Sequence, residues 1–123
     1  MIIQPQVQSE LNDLCNQVHH LQGGLVASVD GLVIAHNLNE VEPDGLAALA
    51  SATLGLARRL AQAAQQGGFE EALTRGGNGY IAIHAAGDSA ILTTVAGPEI
   101  NVGRLHLQAR RSATRIGKLM DRP

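Results

Sequence analysis

Tryptophan is absent from this 123-residue chain, and Phe69 and Tyr80 are its only phenyl-type aromatics. A core must come from aliphatics, chiefly 18 alanines and 16 leucines within a hydrophobic fraction of 45%. Small side chains bury little area, at about 25 cal/mol per Å², so a lone chain has a thin core and self-association is an attractive remedy. One cysteine, Cys15, excludes an internal disulfide and a thiolate metal cage. No apolar run reaches the roughly 18 residues of a membrane span. The longest, Leu46 to Ala57, is interrupted by Ser, Thr and Gly and meets Arg58-Arg59. No basic segment precedes an apolar stretch at the N-terminus, as a secretory leader would require. The expectation is one cytoplasmic domain over residues 1–123, core about 6–120, without membrane insertion.

Lysine and arginine are missing from residues 1–57, which hold six acids: Glu10, Asp13, Asp30, Glu40, Glu42 and Asp44. Residues 58–123 hold all nine basic residues and five acids. Halves of −6 and +4 are complementary, which serves folding as readily as partner binding. The net charge of −2 and the lack of stacking aromatics argue against a nucleic-acid partner.

Val7, Leu11, Leu14, Val18 and Leu21 recur at helical spacing, predicting a first helix over about 6–22 that Gly23-Gly24 stops. Strands are expected at 25–29 and 32–36, joined at Asp30-Gly31 by a type I′ turn. Pro43 suits the first position of a second helix, with Asp44 in its first turn, running to about Gln66. Three strands follow at 69–75, 80–86 and 89–96, joined by Gly76-Gly77-Asn78-Gly79 and Gly87-Asp88. A last helix is expected over about 100–120.

The order is α-β-β-α-β-β-β-α. Ile81 and Ile83 oppose Tyr80 and Ala82, while Ile91 and Val95 oppose Ala90 and Leu92, so both sheet faces are apolar. A sheet with one wet face would alternate apolar with polar. A three-layer α/β/α sandwich follows, and Phe69-Glu70-Glu71-Ala72, with charge beside apolar residues, marks a sheet edge. The second helix is apolar nearly all round. Leu46, Leu49, Thr53, Leu56 and Leu60 form a stripe suited to the sheet. Ala48, Ala52, Gly55 and Arg59 form another that calls for a second partner, set against the plain reading that alanine serves helix propensity. With the edge strand, that stripe points to a two-fold dimer.

Catalytic signatures are missing. There is no G-x-x-x-x-G-K-[ST] and no G-x-S-x-G, and the glycine turn at 76–79 precedes no helix, so it reads as a hairpin rather than a phosphate cradle. His19, His20, His36, His84 and His106 contain no i, i+4 pair, and are expected to be solvated or at the core edge rather than metal ligands. His19 and His20 are expected on different sides of the first helix. Cys15, with no nearby basic residue, reads as a small hydrophobe rather than a nucleophile. In the last helix Arg104, Arg111 and Lys118 repeat every seven residues, as do Gln108, Arg115 and Arg122, opposite Val102, Leu105, Ala109, Ser112, Ile116 and Leu119. A solvated basic face is the default, pairing with the acidic first helix the next reading, and an anionic partner the outside one.

The stretch Gly24-Leu25-Val26-Ala27-Ser28-Val29-Asp30-Gly31-Leu32-Val33-Ile34-Ala35 resembles the first hairpin of roadblock-type dynein light-chain domains. The segment from Tyr80 to Leu92 resembles their last hairpin, and Asn101-Val102-Gly103-Arg104-Leu105 the start of their final helix. With the element order, the likeness spans about Leu11 to Leu119 and is to the bacterial MglB-like branch. It implies a profilin-like, five-stranded antiparallel sheet with one helix on one face and two on the other. It further implies homodimers in which third strands pair edge to edge and middle helices lie side by side, through Ala48, Ala52, Gly55, Arg59, Phe69, Glu70, Glu71 and Ala72. Bacterial relatives bind small Ras-like GTPases and regulate their nucleotide cycle, which makes Arg58 and Arg59 candidate GTPase contacts. The resemblance supplies no catalytic residue, cofactor or metal. The expected function is a non-catalytic GTPase regulator, the alternative a scaffold for other protein partners. A small hydrolase or anion-binding enzyme has only the histidines and the glycine turn in its favour.

Overall fold

The computed structural model describes residues 3–121. Their order is α1 (Gln4–Gln17), β1 (Leu21–Ser28), β2 (Val33–His36), α2 (Pro43–Ala63), β3 (Glu71–Gly76), β4 (Gly79–Ala86), β5 (Ala90–Ala96) and α3 (Val102–Met120). The strands form one antiparallel sheet ordered β2-β1-β5-β4-β3, so β3 is an edge, as its charge pattern requires, and β2 is the other. Alternation sends Ala82, Ala90 and Leu92 to one face, where Val7, Leu11 and Leu14 of α1 and Leu105, Ala109 and Ile116 of α3 cover them. Ile83 and Ile91 point to the opposite face, under Ala50 and Leu54 of α2. The sandwich thus has α1 and α3 in one outer layer and α2 alone in the other.

Helix starts follow their caps. The Glu42 carboxylate accepts from the N–H groups of Asp44 (2.9 Å) and Gly45 (2.7 Å), and Asn101 Oδ1 accepts from Arg104 N at 3.0 Å. Each satisfies donors that the first helical turn leaves without partners. Acidic α1 and basic α3 pair through Arg115 and Glu10 (2.9 Å), while Arg104 donates to the Gln17 carbonyl at 3.4 Å. Arg104, Arg111, Arg115 and Lys118 are exposed; Arg122 lies outside the described residues.

Several boundaries differ from expectation. α1 ends at Gln17, not Gln22, and β1 begins at Leu21, four residues early. Gly23-Gly24 therefore does not stop the helix: it lies inside the strand, where a Cβ on Gly24 would fall 2.7 Å from Leu11 Cδ1. The glycine lets α1 lie close on the sheet. His19 and His20 belong to the α1–β1 turn, His20 with φ 70°, and so share no helix. Asp30-Gly31 is not a type I′ turn, since only Gly31 has positive φ (89°). Gly31 N donates to Ser28 O at 2.9 Å, making a three-residue loop that closes on a left-handed glycine, with the register slipping between Val26 and Ala27. α2 ends at Ala63 rather than Gln66, and β3 begins at Glu71 rather than Phe69. β2 has four residues, and its His36 carbonyl accepts from Gln8 Nε2 of α1 at 3.0 Å.

Candidate functional site

α2 meets the sheet through Ala47, Ala50 and Leu54, and Ser51 Oγ donates to the Val29 carbonyl at 2.6 Å. This corrects the expected orientation. Leu49, Leu56 and Leu60 face outward at 67%, 66% and 72% exposure rather than packing on the sheet. The reason is the shape of the sheet surface: Leu25, Ala27, Ile83 and Ile91 already fill it, and a short alanine-rich face seats the helix closest. Ala48, Ala52, Gly55 and Arg59 are exposed. Three- and four-residue steps place Leu49, Leu56 and Leu60 beside them, forming one apolar outer face. Arg58 is exposed too, but its 100° step from Arg59 runs to the side away from Leu60, which takes it off that face.

The edge residues divide. Phe69 and Glu70 precede β3; Phe69 tucks under α2 against the Ala50, Leu54, Ile83 and Ile91 cluster, and Glu70 is exposed. Ala72 pairs with Ile83. Glu71 pairs with His84 and shares its face, so its side chain turns toward α3.

There it meets a cluster that single-element spacing does not reveal. Glu71 Oε2 lies 2.7 Å from His106 Nδ1, and His84 Nε2 is 3.2 Å from that nitrogen and 3.9 Å from Glu71 Oε1. Arg110, one turn along α3 from His106, donates to Glu71 through Nε (2.6 Å) and Nη2 (3.0 Å). The Arg110 hydrogen bonds hold the Glu71 carboxyl below its ordinary range. Burial pushes the His84 imidazole down to about 4, against the pull of the Glu71 charge. His84 is 1% exposed, which corrects its expected place among solvated or core-edge histidines. One donor atom each from Glu71, His84 and His106 lie within 4.8 Å of one another. A cavity of about 690 Å³ opens beside Glu71 and His84, lined also by Phe69, Thr114, Lys118 and Asp121. One signal was readable: a two-residue turn at Gly77-Asn78 puts Gly76 opposite Gly79, and counting back puts Glu71 opposite His84.

The family model for the Roadblock/LC7 domain matches residues 7–96. The chain belongs to the Roadblock/LC7 family. Among curated relatives of this roadblock chain, the uncharacterized protein MJ0310 of Methanocaldococcus jannaschii is 31% identical over 102 residues, 82% of this chain and 89% of its own length. Among solved structures, the gliding protein MglB of Thermus thermophilus has a TM-score of 0.85 at 19% identity, covering 97% of this chain and 91% of that one. A structure described as MglB with tetrameric arrangement has a TM-score of 0.86 at 20% identity, covering 97% and 90%. These likenesses establish the roadblock fold with its five-stranded sheet. Among the described residues, no helix is long and apolar enough to cross a membrane.

Proposed function

We propose that this roadblock chain acts as a non-catalytic homodimer that binds a small Ras-like GTPase and modulates its nucleotide cycle. The observation that carries the reading is the outer face of α2. Leu49, Leu56 and Leu60 stand out beside Ala48, Ala52 and Gly55, and soluble monomers rarely leave so continuous an apolar surface wet. Two copies related by a two-fold axis would cover that face with itself and bring their β3 edges, including Ala72, together. Small residues at Ala48, Ala52 and Gly55 suit close helix approach. Arg59 would go with this contact, whereas Arg58, off the face, would remain for the GTPase. Likeness to MglB structures supports a partner-binding role. Regulation would require different affinities for two GTPase states, since equal affinity shifts no equilibrium.

The test couples assembly to capture. Sedimentation should give a dimer that Leu56→Asp converts to a folded monomer. Tagged protein in native lysate loaded with GDP or a non-hydrolysable GTP analogue should retain a small GTPase in only one nucleotide state. A wild-type monomer that retains no GTPase would overturn the proposal, and equal retention in both states would favour a scaffold.

A further inference from the structure

The Glu71 cluster has a proton tally that does not close well. Ionised Glu71 only accepts, so at 2.7 Å His106 Nδ1 must carry a proton and donate it. His84 Nε2, 3.2 Å from the same nitrogen, must then present a lone pair, because two facing N–H groups repel. Neutral His84 therefore carries its proton on Nδ1, which is buried and finds no partner among the described residues. A side chain 1% exposed is thus held with its basic nitrogen aimed at a carboxylate and a second imidazole.

The donor atoms stand close to the spacing of ligands. Tetrahedral bonds of about 2.0–2.1 Å place ligand atoms roughly 3.3 Å apart. The two imidazole nitrogens, 3.2 Å apart, match that value. Glu71 reaches His106 with Oε2 at 2.7 Å and His84 with Oε1 at 3.9 Å, and with one atom from each residue all three lie within 4.8 Å, so a small turn of the carboxylate completes the set. We propose that Glu71, His84 and His106 form a binding site for a divalent late first-row transition metal of the Zn²⁺ class, with solvent from the adjoining cavity completing the coordination. Two imidazoles and one carboxylate suit that class better than Ca²⁺ or Mg²⁺, which prefer oxygen-only shells. Binding would shift the His106 proton to the other ring nitrogen or release it. Arg110 is the competitor. Its side chain is 60% exposed, so its grip on Glu71 is screened, and the charge of Glu70 also acts on the guanidinium. The ion would fasten the β3 edge to α3 through three elements distant in sequence.

The test uses the full chain, dialysed against a chelator and titrated with ZnCl₂ by calorimetry. Long-range ¹H–¹⁵N spectra of the histidine rings follow the site. The expected result is one Zn²⁺ per chain with roughly micromolar or tighter affinity, and ring-nitrogen shifts at His84 and His106. His106→Ala should weaken binding at least tenfold, about the loss that even an outer-shell change brings. Glu71→Gln should show the same loss if His106→Ala fails to fold. Arg110→Gln should tighten binding by removing the competing cation. The double variant His19→Ala/His20→Ala should bind as the wild type does. Absence of binding, weaker binding in Arg110→Gln, or binding lost only with His19 and His20 would overturn the proposal.

Discussion

Gly117 of α3 lies against the backbone of Gly87 in the β4–β5 turn, so closely that a Cβ on Gly117 would fall 2.6 Å from Gly87 N and 2.9 Å from its Cα. The same turn is tied to the end of α3 by Asp121, which accepts from Asp88 N at 2.9 Å and from Ser89 Oγ at 2.6 Å. Alanine for glycine inside a helix ordinarily gains up to about 1 kcal/mol in propensity. Here the obstructing atoms are backbone, and overpacking costs of about 1–3 kcal/mol should win. Gly117→Ala should therefore lower the thermal midpoint, whereas Gly55→Ala, whose added Cβ meets nothing within 4 Å of its own chain, should leave the dilute, monomeric protein as stable or more so.

The orientation of α2 can be read from two leucines two positions apart. Leu54 is buried against the sheet, so Leu54→Ala should cost about 2–5 kcal/mol at every protein concentration in urea denaturation. Leu56 is exposed, and Leu56→Ala should change monomer stability by no more than about 0.5 kcal/mol. A large Leu56 effect in dilute, monomeric protein would contradict this orientation.

Acid should weaken the chelator-treated protein well before bulk carboxylates titrate. His84, facing Glu71, His106 and Arg110, has a folded value of about 4 against an ordinary 6.5, so the unfolded chain takes the proton first. Stability is fully present above 6.5 and is lost as pH falls toward 4, by at most about 3 kcal/mol. Glu71, also depressed, adds a loss in the same direction below its ordinary 4.5. Urea midpoints between pH 7.5 and 4.5 should fall, and His84→Leu should flatten that slope.

Cys15 should alkylate slowly. Burial raises its thiol above the ordinary value, and the weak contact to Asn37 Oδ1 at 3.7 Å only partly opposes this. Less thiolate at neutral pH means slower reaction with iodoacetamide than a free thiol, with the rate recovering in denaturant.

The layered fold was legible because Ile81, Ile83, Ile91 and Leu92 carry apolar groups to both sheet faces, a local signal that no packing detail can reverse. The seating of α2 was not. A helix apolar on all sides offers more stripes than the two read from its spacing, and the contour of the sheet selects a third, Ala47, Ala50 and Leu54. Gly23-Gly24 misled because a glycine pair that stops a helix also lets one lie flat upon a strand. Glu71, His84 and His106 escaped because three elements assemble them; the β3–β4 turn carries half of that information, and the docking of α3 carries the rest.

The two sheet edges are unequal. β2 is short, follows a slipped register, and spends its His36 carbonyl on Gln8, whereas β3 runs for six residues, alternate ones turning their backbone groups to the open edge. A strand added at β3 finds a template, and one approaching β2 finds little. Were two copies to join at β3, as proposed, only the blunt β2 edges would remain, so strand addition would stop at a pair rather than run on into a ribbon.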